Sequence, residues 1–175
     1  MSGDRMAGPP PQTEDRDDPP LGGASERAAA LAFLGANHVM ALATQSPDGT
    51  PHLVSLLYVH DEFSLDWVSD PASHHSRHLQ TEARCAVAVA PDTDAFQIIQ
   101  GLQMKGRARR LEGPVETAAA LGRLALRYDF LARLGSQPGA LVEAWKKAAL
   151  YRFTPERVVW IDNRQGFGYK RRFEP

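Results

Sequence analysis

The hydrophobic pattern from residue 25 onward predicts a chain made mostly of strands, with helices at its start, in its middle and late in its length. The predicted strands cover residues 39–44, 52–59, 63–68, 84–90, 96–111, 150–153 and 158–161, and the predicted helices cover residues 25–35, 74–80, 114–135 and 138–148. Short turn signals separate most consecutive strands, so we expect neighbours in sequence to pair antiparallel. Six to seven antiparallel strands with peripheral helices predict a mainly β fold, a small barrel.

The strand predicted from Phe96 to about Leu111 carries the clearest alternation in the chain. One face presents Leu102, Met104, Gly106 and Ala108, and the other presents Gln103, Lys105, Arg107 and Arg109. The apolar face can pack on a core, while an amide followed by cations can offer hydrogen bonds and positive charge to an anionic ligand. We therefore interpret this strand as a candidate cofactor wall. A solvated edge strand kept soluble by its charges is the alternative that this segment leaves open.

Local signals set the expected boundaries of these elements. The turn at residues 46–49, Ser-Pro-Asp-Gly, predicts a hairpin between the first two strands. We expect Ser25 to cap the first helix and Asn37 to end it in the left-handed conformation. Gly101 is a predicted bulge in the long strand. Residues 154–157 are predicted to connect the last two strands as a turn.

The late helical region begins at Pro114, which is typical of a first helical position. Apolar residues then recur at helical spacing and Gly135 is expected to end the helix. The residues of this predicted face are Ala118, Leu121, Ala125 and Tyr128. We treat residues 114–148 as a helical insert.

Composition narrows the class of protein. The 175 residues, 43% of them hydrophobic, can bury one core, and residues 1–23, with five prolines, predict a disordered tail before a domain of residues 24–175. The net charge of −1 argues against a nucleic-acid-binding protein. No segment has the apolar length of a signal peptide or membrane span, so no membrane partner is expected. The lone cysteine, Cys85, is expected in the core, and because one cysteine cannot form a disulfide within the chain, the composition fits a reducing cytoplasm.

A second candidate site lies at the predicted helix that carries the sequence HHSRHLQ, residues 74–80. The first turn of a helix exposes unpaired N–H groups and the positive end of the helix dipole, which favour phosphate. His74 and His78 are one turn apart and, with His75, form a possible metal set. The absence of a nearby Glu or Cys favours a partly exposed polar helix face, so we assign no metal ligand. His38, His52 and His60 lie near strand ends and are interpreted as structural histidines.

Three segments in this order resemble a known family: TPHLVSLLY, SDPASHHSRHLQTEARCAVAV and GLQMKGRARRLEG. Together they are similar to the flavin-binding split barrel of the pyridoxamine 5′-phosphate oxidase-like superfamily. The last part, VVWIDNRQGFGYK, is similar to the ending of a mostly uncharacterised bacterial subgroup. The resemblance covers about residues 28–170 and implies a homodimer that holds two FMN molecules at the subunit interface.

Carried over by position, the resemblance implies a set of cofactor-binding residues, and relatives place an arginine and a lysine where this chain has His74 and His75. The implied set is Val54, Ser55, Ser69, His74, His75, Ser76, Arg77, Gln103 and Lys105. Val54 and Ser55 would present backbone groups to the flavin ring, and Gln103 would present its amide. Trp160 and Asn163 could reach the flavin of the neighbouring subunit.

The function that this resemblance favours is an FMN-dependent oxidoreductase with an unassigned small-molecule substrate and NAD(P)H as a candidate donor. The ending NRQGFGYKRRFEP lacks the arginine- and tryptophan-bearing segment with which true pyridoxamine 5′-phosphate oxidases hold substrate phosphate. We name no catalytic residue, because hydride or electron transfer is the chemistry of the flavin. Three alternatives stay open: F420 or haem as the cofactor, a non-catalytic flavin- or haem-binding carrier or sensor, and a dimeric module with an empty pocket.

Overall fold

The computed structural model describes residues 18–129, 133 and 139–175. One curled antiparallel sheet with helices around it accounts for the fold, as predicted. The elements are α1 Ala24–Ala36, β1 Val39–Gln45, β2 Pro51–Leu57, β3 Val59–Asp61, β4 Ser64–Ser69, α2 His74–Thr81, β5 Arg84–Val89, β6 Gln100–Arg110, α3 Pro114–Arg127, α4 Gly139–Lys147, β7 Ala149–Asp162 and β8 Lys170–Phe173. None of these helices is long and apolar enough to cross a bilayer, among the residues that the model describes.

The sheet follows the order β2-β1-β5-β6-β7-β4-β3, and β8 pairs with β7 beside this path. The long strand β7 pairs along one edge with β6, while its other edge is shared by β4 at the start and β8 at the end. β2 and β3 occupy the two ends of the path although they are consecutive in the chain. The sheet is therefore a half-barrel, in agreement with the split-barrel prediction.

The concave face of the sheet holds the main core, to which α1 contributes Phe33 and Leu34. Phe33 packs edge-on against Trp160, with ring centroids 4.9 Å apart. The hydroxyl of the fully buried Tyr58 donates to the carbonyl of Leu34 at 2.9 Å, so the polar end of this side chain is satisfied. The alternation predicted for β6 is confirmed, because its apolar face is buried and its charged face is exposed.

The predicted turn at residues 154–157 is wrong, because β7 continues through this segment as a single strand. The register with β6 shifts there: Lys105 pairs with Arg157, and Gly106 pairs with Pro155. One extra residue on β7 makes this a bulge, the kind of place in a sheet where proline, which lacks an N–H, is tolerated. The bulge lies here and not at the predicted Gly101, where the pairing is regular.

The helix boundaries also differ from prediction in their local chemistry. The first helix begins after Gly23, whose backbone N–H donates to Glu26 at 2.6 Å, so Ser25 is not the cap. Asn37 ends that helix in an extended conformation, with φ of −106°, and its side-chain amide donates to the carbonyl of Phe33. The side-chain amide thus binds the last turn without the expected left-handed backbone.

The late helices begin close to the predicted residues, but α3 ends at Arg127, short of the predicted 135, and Tyr128 after it takes an extended backbone. The buried face of α3 also differs: it buries Ala120 and Leu124, while Leu121 is exposed. Only Tyr128 of the predicted face is buried. The predicted stop at Gly135 lies outside the described residues, and α4 falls within the predicted 138–148.

The predicted tail, residues 1–23, lies mostly outside the described residues. Its last part pairs with β8: the N–H of Arg172 donates to the carbonyl of Pro20, and the N–H of Gly22 donates to the carbonyl of Arg172. The boundary at residue 24 therefore marks the start of α1 and not the start of pairing with the sheet.

Candidate functional site

The start of α2 gathers hydroxyl and imidazole groups at the end of β4. Ser73 caps the helix, and its Oγ accepts from the N–H of Ser76 and donates to the Ser76 hydroxyl at 2.9 Å. Ser69, the last residue of β4, places its Oγ 2.6 Å from Nε2 of His75, and that nitrogen is 3.1 Å from the Ser73 hydroxyl. His75 and Ser76 are buried. The capping chemistry thus holds His75 in a fixed place.

Four imidazoles meet here, and we call His52, His74, His75 and His78 the histidine cluster. The ring of His52 lies 5.8, 6.2 and 5.5 Å, between centroids, from the rings of the other three in that order. His52 is brought to α2 by the β1–β2 hairpin, in which it pairs with Thr44. The hydroxyl of Thr44 in turn lies 3.1 Å from Nδ1 of His78.

Positive charge is disfavoured on two members of this cluster. Burial, followed by the neighbouring imidazoles, lowers the pKa of His75, and the same causes lower the pKa of His78. The guanidinium of Arg77 also lowers the pKa of His78, while Asp48 acts in the opposite sense. Arg77 itself lies beside His74, with Nη2 3.4 Å from Nδ1. A bound anion would reverse this penalty by supplying the missing negative charge.

A metal site is not formed by these side chains as they lie. Within residues 18–129, 133 and 139–175, no three His, Cys, Asp or Glu side chains come together closely enough to hold a metal ion. Hydroxyl groups already lie within hydrogen-bond distance of Nε2 of His75 and Nδ1 of His78. The cluster is better suited to a larger anion than to a metal.

The convex face of the sheet carries a cavity of about 470 Å³, which we call the alanine cavity. Its floor is made of small side chains from two adjacent strands, Ala41 and Ala43 of β1 and Ala86 and Ala88 of β5, and small side chains leave a hollow over the sheet. Gln103 and Lys105 of β6 line the same cavity, with Leu53, Arg157 and Val159 near them. The volume is in the range of cofactor and drug-sized ligands.

Register explains why these side chains share one face. Ser55 pairs with Ala41, Ala41 with Ala88, and Ala88 with Gln103, so this row of side chains crosses four strands on the convex side. Val54, the residue before Ser55, faces the core instead. Beside the cavity, β1 exposes Val39 and the edge strand β2 exposes Leu53 and Leu57, and Leu53 keeps 68% of its surface in solvent.

Eight of the nine predicted cofactor residues therefore fall into two groups. Ser69, His74, His75, Ser76 and Arg77 surround the start of α2, whereas Ser55, Gln103 and Lys105 share the convex face and Val54 contacts the core. The residues that line the alanine cavity come from strands, and none comes from α2. The two groups lie on opposite sides of β2, the edge strand that carries both His52 and Leu53.

Two residues of the site, His52 and His78, are not among the predicted cofactor residues: the sequence favours a structural role for His52 and places His78 on a polar helix face. His52 stands alone in the sequence at a strand end, and only the pairing with Thr44 shows that it faces α2.

Two residues that the sequence suggested could reach the flavin of a neighbouring subunit make contacts within this chain. Trp160 is buried in the core, and Asn163 donates from Nδ2 to the carbonyl of Phe96 at 2.8 Å. Burial raises the pKa of Cys85 to about 12, which keeps this thiol protonated.

Comparisons with known proteins agree with this architecture. The family model of pyridoxamine 5′-phosphate oxidase matches residues 27–161. A UPF0306 protein of Klebsiella pneumoniae (strain 342) is 28% identical over 145 residues, which make up 82% of this chain and 89% of that protein. A conserved hypothetical protein of Mycobacterium tuberculosis has the same fold, with a TM-score of 0.67 at 21% identity, covering 87% of this chain and 92% of that one.

A haem-binding protein of Mycobacterium smegmatis also shares the fold, with a TM-score of 0.64 at 20% identity, covering 87% of this chain and 58% of that one. At these sequence identities the similarity to solved structures shows a shared fold and nothing more. The family model, in contrast, spans most of the sequence, so the chain belongs to the pyridoxamine 5′-phosphate oxidase family.

Proposed function

We propose that this protein is an FMN-dependent oxidoreductase of the pyridoxamine 5′-phosphate oxidase-like type, acting as a homodimer on a small-molecule substrate. The observation that carries the proposal is the alanine cavity with Gln103 and Lys105 on its wall. A flat tricyclic ring needs a shallow apolar surface and a few polar groups at its edge. Four alanines provide the surface, and the amide and ammonium groups of β6 provide the edge.

The phosphate of FMN would lie at the start of α2. Ser69, Ser73 and the helix N–H groups can donate hydrogen bonds there, and Arg77 adds a fixed positive charge. The cofactor would then pass over the edge strand β2, with its ring on the convex face and its phosphate beside the histidine cluster. This path uses both groups of predicted residues.

A second copy of the chain would complete the ring site. The apolar side chains of Val39, Leu53 and Leu57 are exposed at the edge of the alanine cavity, and such a patch is typical of a surface covered by a partner. Covering it would also exclude water from the ring. The dimer is therefore part of the proposed site and not an addition to it.

The flavin, once bound, would supply hydride or electron transfer, with NADH or NADPH as the donor to test first. Residues of this chain would bind and orient the ring, and Gln103 and Lys105 would hydrogen-bond its polar edge. The described side chains that line the alanine cavity include no histidine, carboxyl or thiol group, so we assign none a catalytic role.

A titration of the apo-protein with FMN, F420 and haemin tests the cofactor. We expect FMN to bind most tightly, and Gln103→Ala to weaken FMN binding by about fivefold or more, as loss of one hydrogen bond would. Gln165→Ala, on an exposed turn, is the matched control and should leave the dissociation constant unchanged. Equal effects of the two substitutions, or tighter binding of F420, would reject the proposal.

The second candidate is a haem- or flavin-binding carrier without turnover. The exposed imidazole of His74 favours it, because histidine holds the haem iron in globins and peroxidases. Haemin should then give a Soret band that His74→Ala abolishes. Anaerobic bleaching of bound FMN by NADH or NADPH would instead support the oxidoreductase, and absence of bleaching by either donor would support the carrier.

A further inference from the structure

We propose that the histidine cluster makes cofactor binding proton-dependent: the phosphate of the cofactor binds together with protons taken up by these imidazoles, so affinity falls as the pH rises above 7. This inference rests on the proposed function, since it concerns the phosphate end of the same cofactor. It adds two binding residues, His52 and His78, to the residues of α2. It also predicts that the affinity for the phosphate group varies over the physiological range of pH.

The geometry is the first support. The three rings of α2 lie with centroids 5.5 to 6.2 Å from that of His52, which β2 contributes. His52 stacks nearly parallel on His75, with 11° between the planes, and meets His78 edge-on. Imidazoles this close repel one another when protonated, so the cluster resists charge until an anion arrives.

The surrounding groups supply little negative charge. β1 contributes the hydroxyl of Thr44, β4 contributes the hydroxyl of Ser69, and α2 contributes the cation of Arg77. The carboxylate of Asp48, in the β1–β2 turn, favours protonated His78, but its effect is the smallest of those that act on this ring. Asp48 is also engaged within its own turn, where it accepts from Ser46 and from the N–H of Thr50.

A phosphate monoester supplies what the cluster lacks. Above pH 6.5 its second proton is largely lost, because the second pKa of a phosphate monoester is about 6, so it carries nearly two negative charges. Placed beside the rings, it favours their protonated forms and accepts hydrogen bonds from them. Each proton taken up on binding makes the dissociation constant rise by up to about tenfold per unit of pH.

Paired titrations with FMN and riboflavin isolate the phosphate group, because riboflavin has the same ring without it. Between pH 6.5 and 8.5 we expect the affinity for FMN to fall by about tenfold or more, and the affinity for riboflavin to change by less than about twofold. Calorimetry of FMN binding in two buffers of different ionisation enthalpy should show net proton uptake at pH 7.5. A ratio of the two affinities that is constant with pH, or binding without proton uptake, overturns the inference.

Variants assign the effect to the cluster. His74→Arg replaces an exposed imidazole with a permanent positive charge, so it should raise FMN affinity at pH 8.5 and flatten the pH dependence. His52→Gln should flatten it by removing a proton-binding group. His60→Gln is the matched control, because His60 lies outside the cluster and its Nδ1 is 3.0 Å from the carbonyl of Glu62. A flattening with His60→Gln equal to that with the cluster variants would refute the assignment.

The outcomes separate this inference from the proposed function. If FMN and riboflavin both bind with pH-independent affinities, the proposed function stands and the proton-dependent site is rejected. If neither flavin binds at any pH, the proposed function fails and the inference fails with it.

Discussion

Two polar clusters at different places on the sheet show opposite ways of burying charge. In the first, which we call the aspartate cluster, the buried Asp66 of β4 accepts from Arg152 at 2.7 and 2.9 Å and from Arg123 at 2.7 Å. The second is the histidine cluster, in which imidazoles contact one another, hydroxyl groups and Arg77. The first contains its own counter-charges, and the second lacks them.

This difference separates a structural role from a binding role. Arg123 lies on α3 and Arg152 on β7, so the aspartate cluster joins a helix to two strands and pairs its carboxylate with two guanidinium groups. The histidine cluster gains little for stability from its arrangement, because its rings disfavour one another's charged forms. We therefore expect substitutions in the first cluster to change folding and substitutions in the second to change binding.

The largest expected effect is on folding, from Asp66→Asn. Removing this charge leaves two partly buried guanidinium groups without their main partner, which should lower the free energy of unfolding by about 3 to 5 kcal/mol. Urea denaturation of the apo-protein measures it. Asp61→Asn is the control, because Asp61 also pairs with Arg123, at 3.3 Å, but its side chain is 60% exposed; a loss under about 1 kcal/mol is expected.

The contrast between the two clusters is refuted if Asp66→Asn is as stable as Asp61→Asn. It is also refuted if Asp66→Asn, still folded in the absence of denaturant, loses FMN affinity, since the aspartate cluster would then take part in binding.

Gly106→Ala tests a position that should affect both folding and cofactor binding. A Cβ at Gly106 would stand 2.2 Å from the carbonyl oxygen of Thr154 and 2.8 Å from the Cα of Pro155, both in the backbone of β7. Relieving this overlap requires the bulge to open, so we expect a loss of about 3 kcal/mol. FMN affinity should fall as well, because the neighbouring Lys105 lines the alanine cavity.

Gly122→Ala is the control for this overlap. A Cβ at Gly122, in α3, meets nothing within 4 Å, and alanine is the better helix former, so the variant should gain up to about 1 kcal/mol. Equal stability of the two alanine variants would mean that β7 does not approach Gly106 as closely as the bulge requires.

Arg77→Ala should affect binding and leave folding nearly unchanged. Arg77 is exposed at the start of α2, and loss of its charge-assisted bond to phosphate should weaken FMN binding by about 1.5 to 3 kcal/mol. The dissociation constant of FMN measures it. Arg84→Ala removes an exposed arginine that pairs with Glu82, and it should leave that constant unchanged. An unaltered constant for Arg77→Ala removes this residue from the site.

The sequence predicted the features that depend on neighbouring residues. Its predictions failed where pairing with a strand distant in sequence determines the local structure. The alternation of β6 and the hairpin of β1 and β2 follow from neighbours in sequence, and both are confirmed. The segment Thr154 to Arg157 contains turn residues, but pairing with β6 overrides them and Pro155 occupies a bulge. The sequence pattern places Gly106 among the apolar positions of β6. The structure shows instead that the backbone of β7 lies too close to leave room for a side chain there.

The site shows the same limit. The helix carrying His74 and His75 was recognisable because three histidines stand close together in sequence. His52 was not, since its place depends on which face of α2 packs against the β1–β2 hairpin. The hairpin register alone pairs His52 with Thr44, and only the contact of Thr44 with His78 brings the two elements together.

The smallest expected effect is a loss of apo-protein stability between pH 7.5 and 5.5. The pKa values of His75 and His78 are lowered in the folded state, so the unfolded chain takes up protons near pH 6.5 that the folded chain resists. Their contribution to stability is present above about pH 6.5 and is lost as the pH falls through their lowered values. Three paired carboxyl groups, Asp48, Glu82 and Glu116, have pKa values of about 2 and stay ionised throughout this window.

Thermal melting at the two pH values measures this loss, which should amount to a few degrees in the wild-type protein and be smaller in His75→Gln. Added phosphate should restore more stability at pH 5.5 than at pH 7.5, because protonated rings bind the anion. The aspartate cluster, with its own counter-charges, should show no such response, so Asp61→Asn should melt with the same pH dependence as the wild type. A phosphate effect that is equal at both pH values would mean that the two clusters do not differ in the way their contacts indicate.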